Sequence, residues 1–181
     1  MRAVRPRRGQ SPRALLPAVA VLTAVLVALV ALLALVDRGS GESALAGRVT
    51  YVIDGDTVIV RMDDGERVHV RLIGIDTPEV SHSGGPGECF GARAARMTRS
   101  LALGRRVTLE PGRERHDRYG RLLAYVRVHG GPDDLERTLL ARGAARTLAI
   151  APNTDRASAY AERERAARRA GRGLWGACPA P

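Results

Sequence analysis

Apolar residues recur at every second position in three consecutive stretches of this chain: Val49, Tyr51 and Ile53; Val58, Val60 and Met62; Val68, Val70 and Leu72. A period of two is that of a strand with one face against a core. Asp54-Gly55 and Asp64-Gly65 interrupt the stretches, and such pairs supply the positive φ angles of tight hairpin turns. The pattern predicts an antiparallel three-stranded meander. On its third strand Arg67, His69 and Arg71 face opposite to Val68, Val70 and Leu72, so Arg71 projects away from the core.

Beyond the meander the spacing of Phe90, Ala94, Met97 and Leu101 predicts a helix over residues 88–103, ended by Gly104. A fourth strand is expected over 106–110 and a fifth over 121–129, stopped by Gly130-Gly131-Pro132. A helix follows over 133–142, closed by Gly143. Asn153 or Thr154 is placed to cap a last helix reaching residue 170, whose face of Glu162, Arg163, Glu164 and Arg165 reads as solvated. This order gives an α+β fold: a five-stranded OB-type β-barrel with three packed helices, preceded by an N-terminal apolar helix.

That apolar helix is expected from residues 14–36, which carry no charge and follow Arg2, Arg5, Arg7, Arg8 and Arg13. At about 1.5 Å per residue the run reaches across a hydrocarbon core of roughly 30 Å. An uncleaved signal anchor is favoured over a cleaved signal peptide, because the small-residue site Ala44-Leu45-Ala46 lies well beyond the apolar run. Either way the basic flank stays in the cytoplasm and the domain lies outside, membrane-anchored or secreted. The organisation is then a basic flank (1–13), an anchor or signal (14–36), a linker (37–46), a folded domain (47–178) and a tail (179–181). Half of the net charge of +10 belongs to the first 36 residues, so charge alone argues only weakly for a polyanionic partner. Cys89 and Cys178 are read as a disulfide pinning the C-terminal helix, with two buried free thiols as the alternative.

Acids gather at the ends of the meander: Asp54 and Asp56 at its first turn, Asp76 and Glu79 after its third strand. Carboxylates and carbonyls are hard oxygen ligands suited to Ca²⁺ or Mg²⁺. The four histidines, at 69, 82, 116 and 129, show no ligand spacing, which argues against zinc. Taken alone, Asp54 and Asp76 could be turn residues and Glu79 a surface acid. Arg71 and Arg121 shift the balance, since guanidinium forks bind phosphate oxygens and stabilise the charge that builds on them. An oxygen-ligated cation beside two such forks forms a phosphoryl-transfer site.

The motifs Ile53-Asp54-Gly55-Asp56-Thr57-Val58, Arg71-Leu72-Ile73-Gly74-Ile75-Asp76-Thr77-Pro78-Glu79, Asp117-Arg118-Tyr119-Gly120-Arg121-Leu122-Leu123-Ala124-Tyr125 and Gly173-Leu174-Trp175 occur in one order. In this the chain resembles a staphylococcal nuclease homologue, or thermonuclease-type domain, over residues 47–175. The resemblance implies an OB barrel with three helices, and Ca²⁺ held by the carboxylates of Asp56 and Asp76 and the carbonyl of Thr77. It implies Glu79 as the water-activating base, Arg71 and Arg121 as phosphate-contacting arginines, and Arg118 and Tyr119 as contacts to a terminal phosphate. The implied activity is cleavage of the 5′ P–O bond of single-stranded DNA and RNA, leaving 3′-phosphate ends, by a monomer.

One stretch departs from the family pattern. Residues 144–151 read Ala-Ala-Arg-Thr-Leu-Ala-Ile-Ala where relatives often place base-stacking tyrosines, so weaker substrate binding is expected. Two other functions compete: a catalytically silent OB module binding nucleic acid or protein, and a surface protein adhering through basic charge to anionic polymers. The first has no need of Glu79 and both arginines; the second leaves the motifs unexplained.

Overall fold

The computed structural model describes residues 45–81, 85–132 and 134–179. The basic flank, the apolar run 14–36 and most of the linker lie outside them. Among the described residues no helix is long and apolar enough to cross a membrane.

The meander forms as β1 (Leu45–Val52), β2 (Thr57–Met62) and β3 (Arg67–Leu72), paired antiparallel in that order. Strand β1 takes in Leu45 and Ala46, two residues expected in the linker, because they pair with Leu109 and Thr108. The alternation in β1 is broken by a register shift between Val49 and Tyr51. A bulge of this kind moves the following side chain to the other face. Val49 and Val52 are therefore the buried residues, while Tyr51 is 57% exposed. The two turns also differ. Gly65 has φ 94°, as a tight hairpin requires. Gly55 has no positive φ and serves close approach instead, since a Cβ there would lie 2.7 Å from the Thr77 side chain.

The remaining elements are β4 (Gly74–Asp76), α1 (Gly91–Ala102), β5 (Arg106–His116), β6 (Leu122–Val128), α2 (Leu135–Ala141), β7 (Arg146–Leu148), α3 (Ala157–Arg169) and α4 (Leu174–Ala177). The barrel closes in the order β1-β2-β3-β6-β5, with β3 and β6 parallel, while β4 and β7 form a separate two-stranded ladder. Strand β5 runs past the expected residue 110, its pairing with β6 becoming irregular between Pro111 and His116. The core is filled by barrel valines and leucines such as Val49, Val60, Val70, Leu72 and Leu109, all at most 1% exposed.

Helix α1 buries a face of Ala94, Ala95, Thr98 and Ala102, small enough for close approach, and the Thr98 hydroxyl donates to the Gly55 carbonyl at 2.6 Å. It starts at Gly91 and not at 88, because Phe90 takes the left-handed conformation (φ 75°) just before it. Asp134 caps α2, accepting from the Arg137 N–H at 2.7 Å. The expected cap of α3 is not made: that helix starts after Arg156, and Asn153 instead exchanges two hydrogen bonds with the main chain of Glu114 on β5. Nor is Glu164 merely solvated. Its carboxylate accepts from the main-chain N–H of Thr147 at 3.1 Å and from its hydroxyl, fastening α3 to β7. Cys89 and Cys178 are joined in a disulfide.

Glu136 on α2 is fully buried, and its carboxyl accepts from the Val126 N–H at 3.0 Å. Burial and the nearby Asp134 push this carboxyl well above the ordinary glutamate range. A carboxyl raised in the folded state keeps its proton while the unfolded chain releases it, so its contribution to stability is full below about pH 4.5 and falls as pH rises. Glu136→Gln, uncharged throughout, should match the parent near pH 4 and exceed it in stability at pH 7. Urea unfolding across that range checks this; a variant less stable at both ends would refute it.

Candidate active site

The site is built where β3 returns beside the start of β2. Thr57 pairs with Arg71, and the Leu72 N–H donates to the Asp56 carbonyl at 2.9 Å. The turn before β2 is shaped by Asp54, whose carboxylate accepts from the Asp56 N–H at 3.1 Å. Asp56 is thereby held inward, only 3% exposed. Its Oδ2 accepts from the Thr77 N–H at 2.7 Å and from the Thr77 hydroxyl at 3.1 Å. The residue just before Thr77 is Asp76, the last residue of β4, which the ladder pairs with Arg146 of β7. Glu164 thus supports Asp76 through β7.

Arg71 sits between the two carboxylates. Its Nη2 lies 3.2 Å from Asp56 Oδ2 and 3.1 Å from Asp76 Oδ1, while Nη1 donates to the carbonyls of Leu72 and Ile75 at 2.9 and 2.8 Å. Burial pushes the Asp56 carboxyl up to about 7, Arg71 drawing it down and Asp54 raising it again. Two hard oxygen donors therefore converge on one positive charge. Among the described residues no three His, Cys, Asp or Glu gather in a ligand cluster, so any cation held here would take its other ligands from carbonyls and water.

The network continues to Arg121. The Thr57 hydroxyl donates to Asp56 Oδ1 at 3.1 Å and accepts a long contact from Arg121 Nη1 at 3.5 Å. Arg121 Nε donates to Asp117 Oδ2 at 2.7 Å, and Asp117 Oδ1 accepts from the N–H groups of Tyr119 and Arg121. Partial burial alone would raise Asp117, but the hydrogen bonds from Arg121 and Tyr119 bring it below the ordinary range. Tyr119, 68% exposed, has Arg118 and Arg121 over its ring at 4.8 and 5.4 Å. Arg118 also donates to the Tyr119 hydroxyl at 2.7 Å.

Glu79 lies on the exposed loop after β4, close enough to share the field of this cluster. Burial, then Asp54, Asp76 and Glu88, raise its carboxyl above the ordinary range, with Arg71 opposing. Glu88 holds the loop: its carboxylate accepts from the Glu79 N–H at 3.2 Å, and its own N–H donates to the Glu79 carbonyl at 3.0 Å.

A cleft of about 520 Å³ opens beside Arg71 and Arg121, bordered by Arg118 and Tyr119 on one side and by Leu148 and Ile150 on the other. These last two, 39% and 59% exposed, come from the stretch without tyrosines. The aromatic ring offered to a ligand in this cleft is that of Tyr119. Sequence reasoning gave no role to Thr57, which connects Asp56 to Arg121, or to Asp117, which holds the Arg121 side chain. Asp117 could have been found from its spacing, four residues before an arginine in a turn ending in glycine; Thr57 had no such signal.

The family profile described as Staphylococcal nuclease homologue matches residues 69–177, which takes in Arg71, Asp76, Glu79 and Arg121 but not Asp56. A protein named thermonuclease from Staphylococcus hyicus is 34% identical over 128 residues, covering 71% of this chain and 74% of that one. A thermonuclease from Staphylococcus intermedius is 42% identical over 113 residues, 62% of this chain and 64% of the relative. Endonuclease YncB of Bacillus subtilis (strain 168) is 38% identical over 104 residues, 56% of this chain and 48% of that protein. The chain thus spans less than two thirds of the last two relatives. With a profile match over more than half of its length, the chain belongs to the staphylococcal nuclease homologue family.

Proposed function

We propose that the domain is a calcium-dependent nuclease that hydrolyses single-stranded DNA and RNA, breaking the 5′ P–O bond and leaving 3′-phosphate ends. The observation that carries this reading is the unbroken line of contacts from Asp76 through Arg71, Asp56 and Thr57 to Arg121. It sets two phosphate-binding forks on either side of a desolvated carboxylate. The names of the relatives, thermonuclease and endonuclease, support the same class of reaction.

The donor set fits calcium, being carboxylate oxygens already drawn toward a cation with no nitrogen or sulfur ligand among them. Asp56, Asp76 and the Thr77 carbonyl would hold the ion, which when bound would supply positive charge at a phosphate oxygen. Arg71 and Arg121 bind the other phosphate oxygens and match the charge developing on them. Glu79, ionised, takes a proton from the attacking water. Arginine hardly gives up its proton, so the leaving 5′ oxygen takes one from solvent. Arg118 and Tyr119 bind a terminal phosphate. The chain works as a monomer outside the cytoplasm, and the Cys89–Cys178 disulfide supports an oxidising compartment. Residues 14–36 would hold it to the membrane unless cleaved.

The test is cleavage of denatured DNA and of RNA by the purified protein with calcium, and after chelation. Cleavage should require calcium; binding without cleavage would favour a silent OB module. The pH profile is a second check. Glu79 acts as base when ionised, so activity falls as pH drops through its raised value, and Glu88→Gln, removing one of the charges that raise it, should move that acid limb to lower pH.

A further inference from the structure

A second groove, of about 530 Å³, lies on the other side of Tyr119 and shares Tyr119 and Arg121 with the cleft. Arg67 and His69 reach it from β3, and Arg115 and His116 from the end of β5. Barrel closure assembles it. Val70 pairs with Leu122 across the parallel β3–β6 contact, and His116 pairs with the same Leu122 across β5–β6. His69, the residue before Val70 on β3, and His116 on β5 are thereby carried on the two strands that border β6. All four of these side chains are exposed. The acids on the rim are Asp64 and Glu66, and Asp64 is engaged by the Glu66 N–H at 2.9 Å.

The chemistry of the groove favours one occupant. Leu45, Met62, Val68 and Leu122 form its floor but are partly or fully buried against the barrel core. Among the described residues Tyr119 is the one exposed large apolar side chain that borders it, so its open rim is cationic and aromatic and not the apolar anchor of a protein interface. Cations interleaved with flat rings, continuous with a phosphate-binding cleft, are the elements of a single-strand track.

We propose that this groove carries the continuation of a single-stranded polynucleotide beyond the nucleotide seated in the cleft. Arg67 and Arg115 meet its backbone phosphates, His69 and His116 meet its bases, and Tyr119 forms the ridge over which the strand passes. The proposal rests on the nuclease reading and adds a dependence on substrate length: a substrate with one phosphodiester fills the cleft alone, whereas a longer strand also fills the groove.

The experiment compares two substrates of the full chain, a thymidine aryl phosphodiester and a single strand of roughly a dozen nucleotides, enough to span both grooves. The variants are Arg67→Gln and the double variant Arg67→Gln/His69→Ala. On the long strand the double variant should lose about tenfold in kcat/KM, and the salt dependence of strand binding should weaken by about 0.7 in log–log slope for each phosphate left without its arginine. The aryl ester should turn over at the parent rate, which also shows that the variants fold. Arg67→Lys should restore the salt slope. Equal losses on both substrates, or no loss on the strand, would overturn the proposal. If the parent cleaves neither substrate, the nuclease reading itself fails.

Discussion

Arg71→Gln is expected to lower the rate of phosphodiester cleavage by about two to three orders of magnitude, the scale seen when one donor to a developing oxyanion is removed. Arg71 has four acceptors: two carboxylates through Nη2 and two carbonyls through Nη1. A glutamine amide cannot reach that set. Arg71→Lys keeps the charge and loses the fork, so it should fall between the two. Stability should respond differently from activity. Removing the partner of a buried charge can cost about 3–5 kcal/mol, but a carboxyl already pushed up to about 7 can take a proton instead. Without Arg71 the Asp56 carboxyl rises further, and a raised carboxyl loses stability as pH rises. Arg71→Gln should therefore unfold nearly as the parent does at pH 5 and more easily at pH 8, while remaining slow at both. Steady-state rates alongside urea unfolding check this, and a variant within threefold of the parent rate would refute the electrostatic role, since that is only about 0.7 kcal/mol of barrier.

What the sequence disclosed and what it concealed divide along physical lines. The barrel strands were legible because one face of each is buried, which imposes a period of two on the residues. Val58, Val60, Val68, Val70 and Leu72 point as that period requires, and Arg71 projects on the polar face. In β1 the same rule misassigned Tyr51 because a bulge costs one residue and leaves no mark in hydropathy. Strands β4 and β7 are three residues each, too short for any period to register. Their role was hidden for the same reason: Glu164 looked like one charge among several on α3, yet its carboxylate holds β7, and β7 holds the strand ending at Asp76. Of the site, the charged groups were visible as motifs, but the hydroxyl of Thr57 that couples Asp56 to Arg121 was not. Threonine in a strand is ordinary, and only the register of β2 against β3 gives it that place.

The largest change in stability is expected from the paired substitution Cys89→Ser/Cys178→Ser. The bridge spans 89 residues, most of the folded domain, and closing so long a loop in the unfolded chain carries a large entropic restriction. Losing it should cost about 2–5 kcal/mol, lowering the unfolding midpoint by roughly ten degrees. The damage should not be spread evenly. Cys89 lies between Glu88, which holds the Glu79 loop by two hydrogen bonds, and Phe90, which takes a left-handed conformation unfavourable for a large side chain. Cys178 follows α4, whose only buried residue is Leu174. With the bridge gone, α4 keeps the Leu174 N–H bond to the Gly143 carbonyl and the Trp175 ring against Arg146 and Arg168 but loses its covalent tie at Cys178, and the segment around Phe90 can relax toward an ordinary backbone. Hydrogen exchange should therefore speed up first in residues 85–91 and 174–178, with the barrel strands β2 and β3 keeping their protection. If Glu79 is the base, catalysis should fall in step with exchange in the first of these segments and not with exchange in the barrel. Uniform loss of protection would mean that the disulfide acts only through the unfolded chain. No loss of stability would mean that packing of Leu174 already secures the C-terminal end.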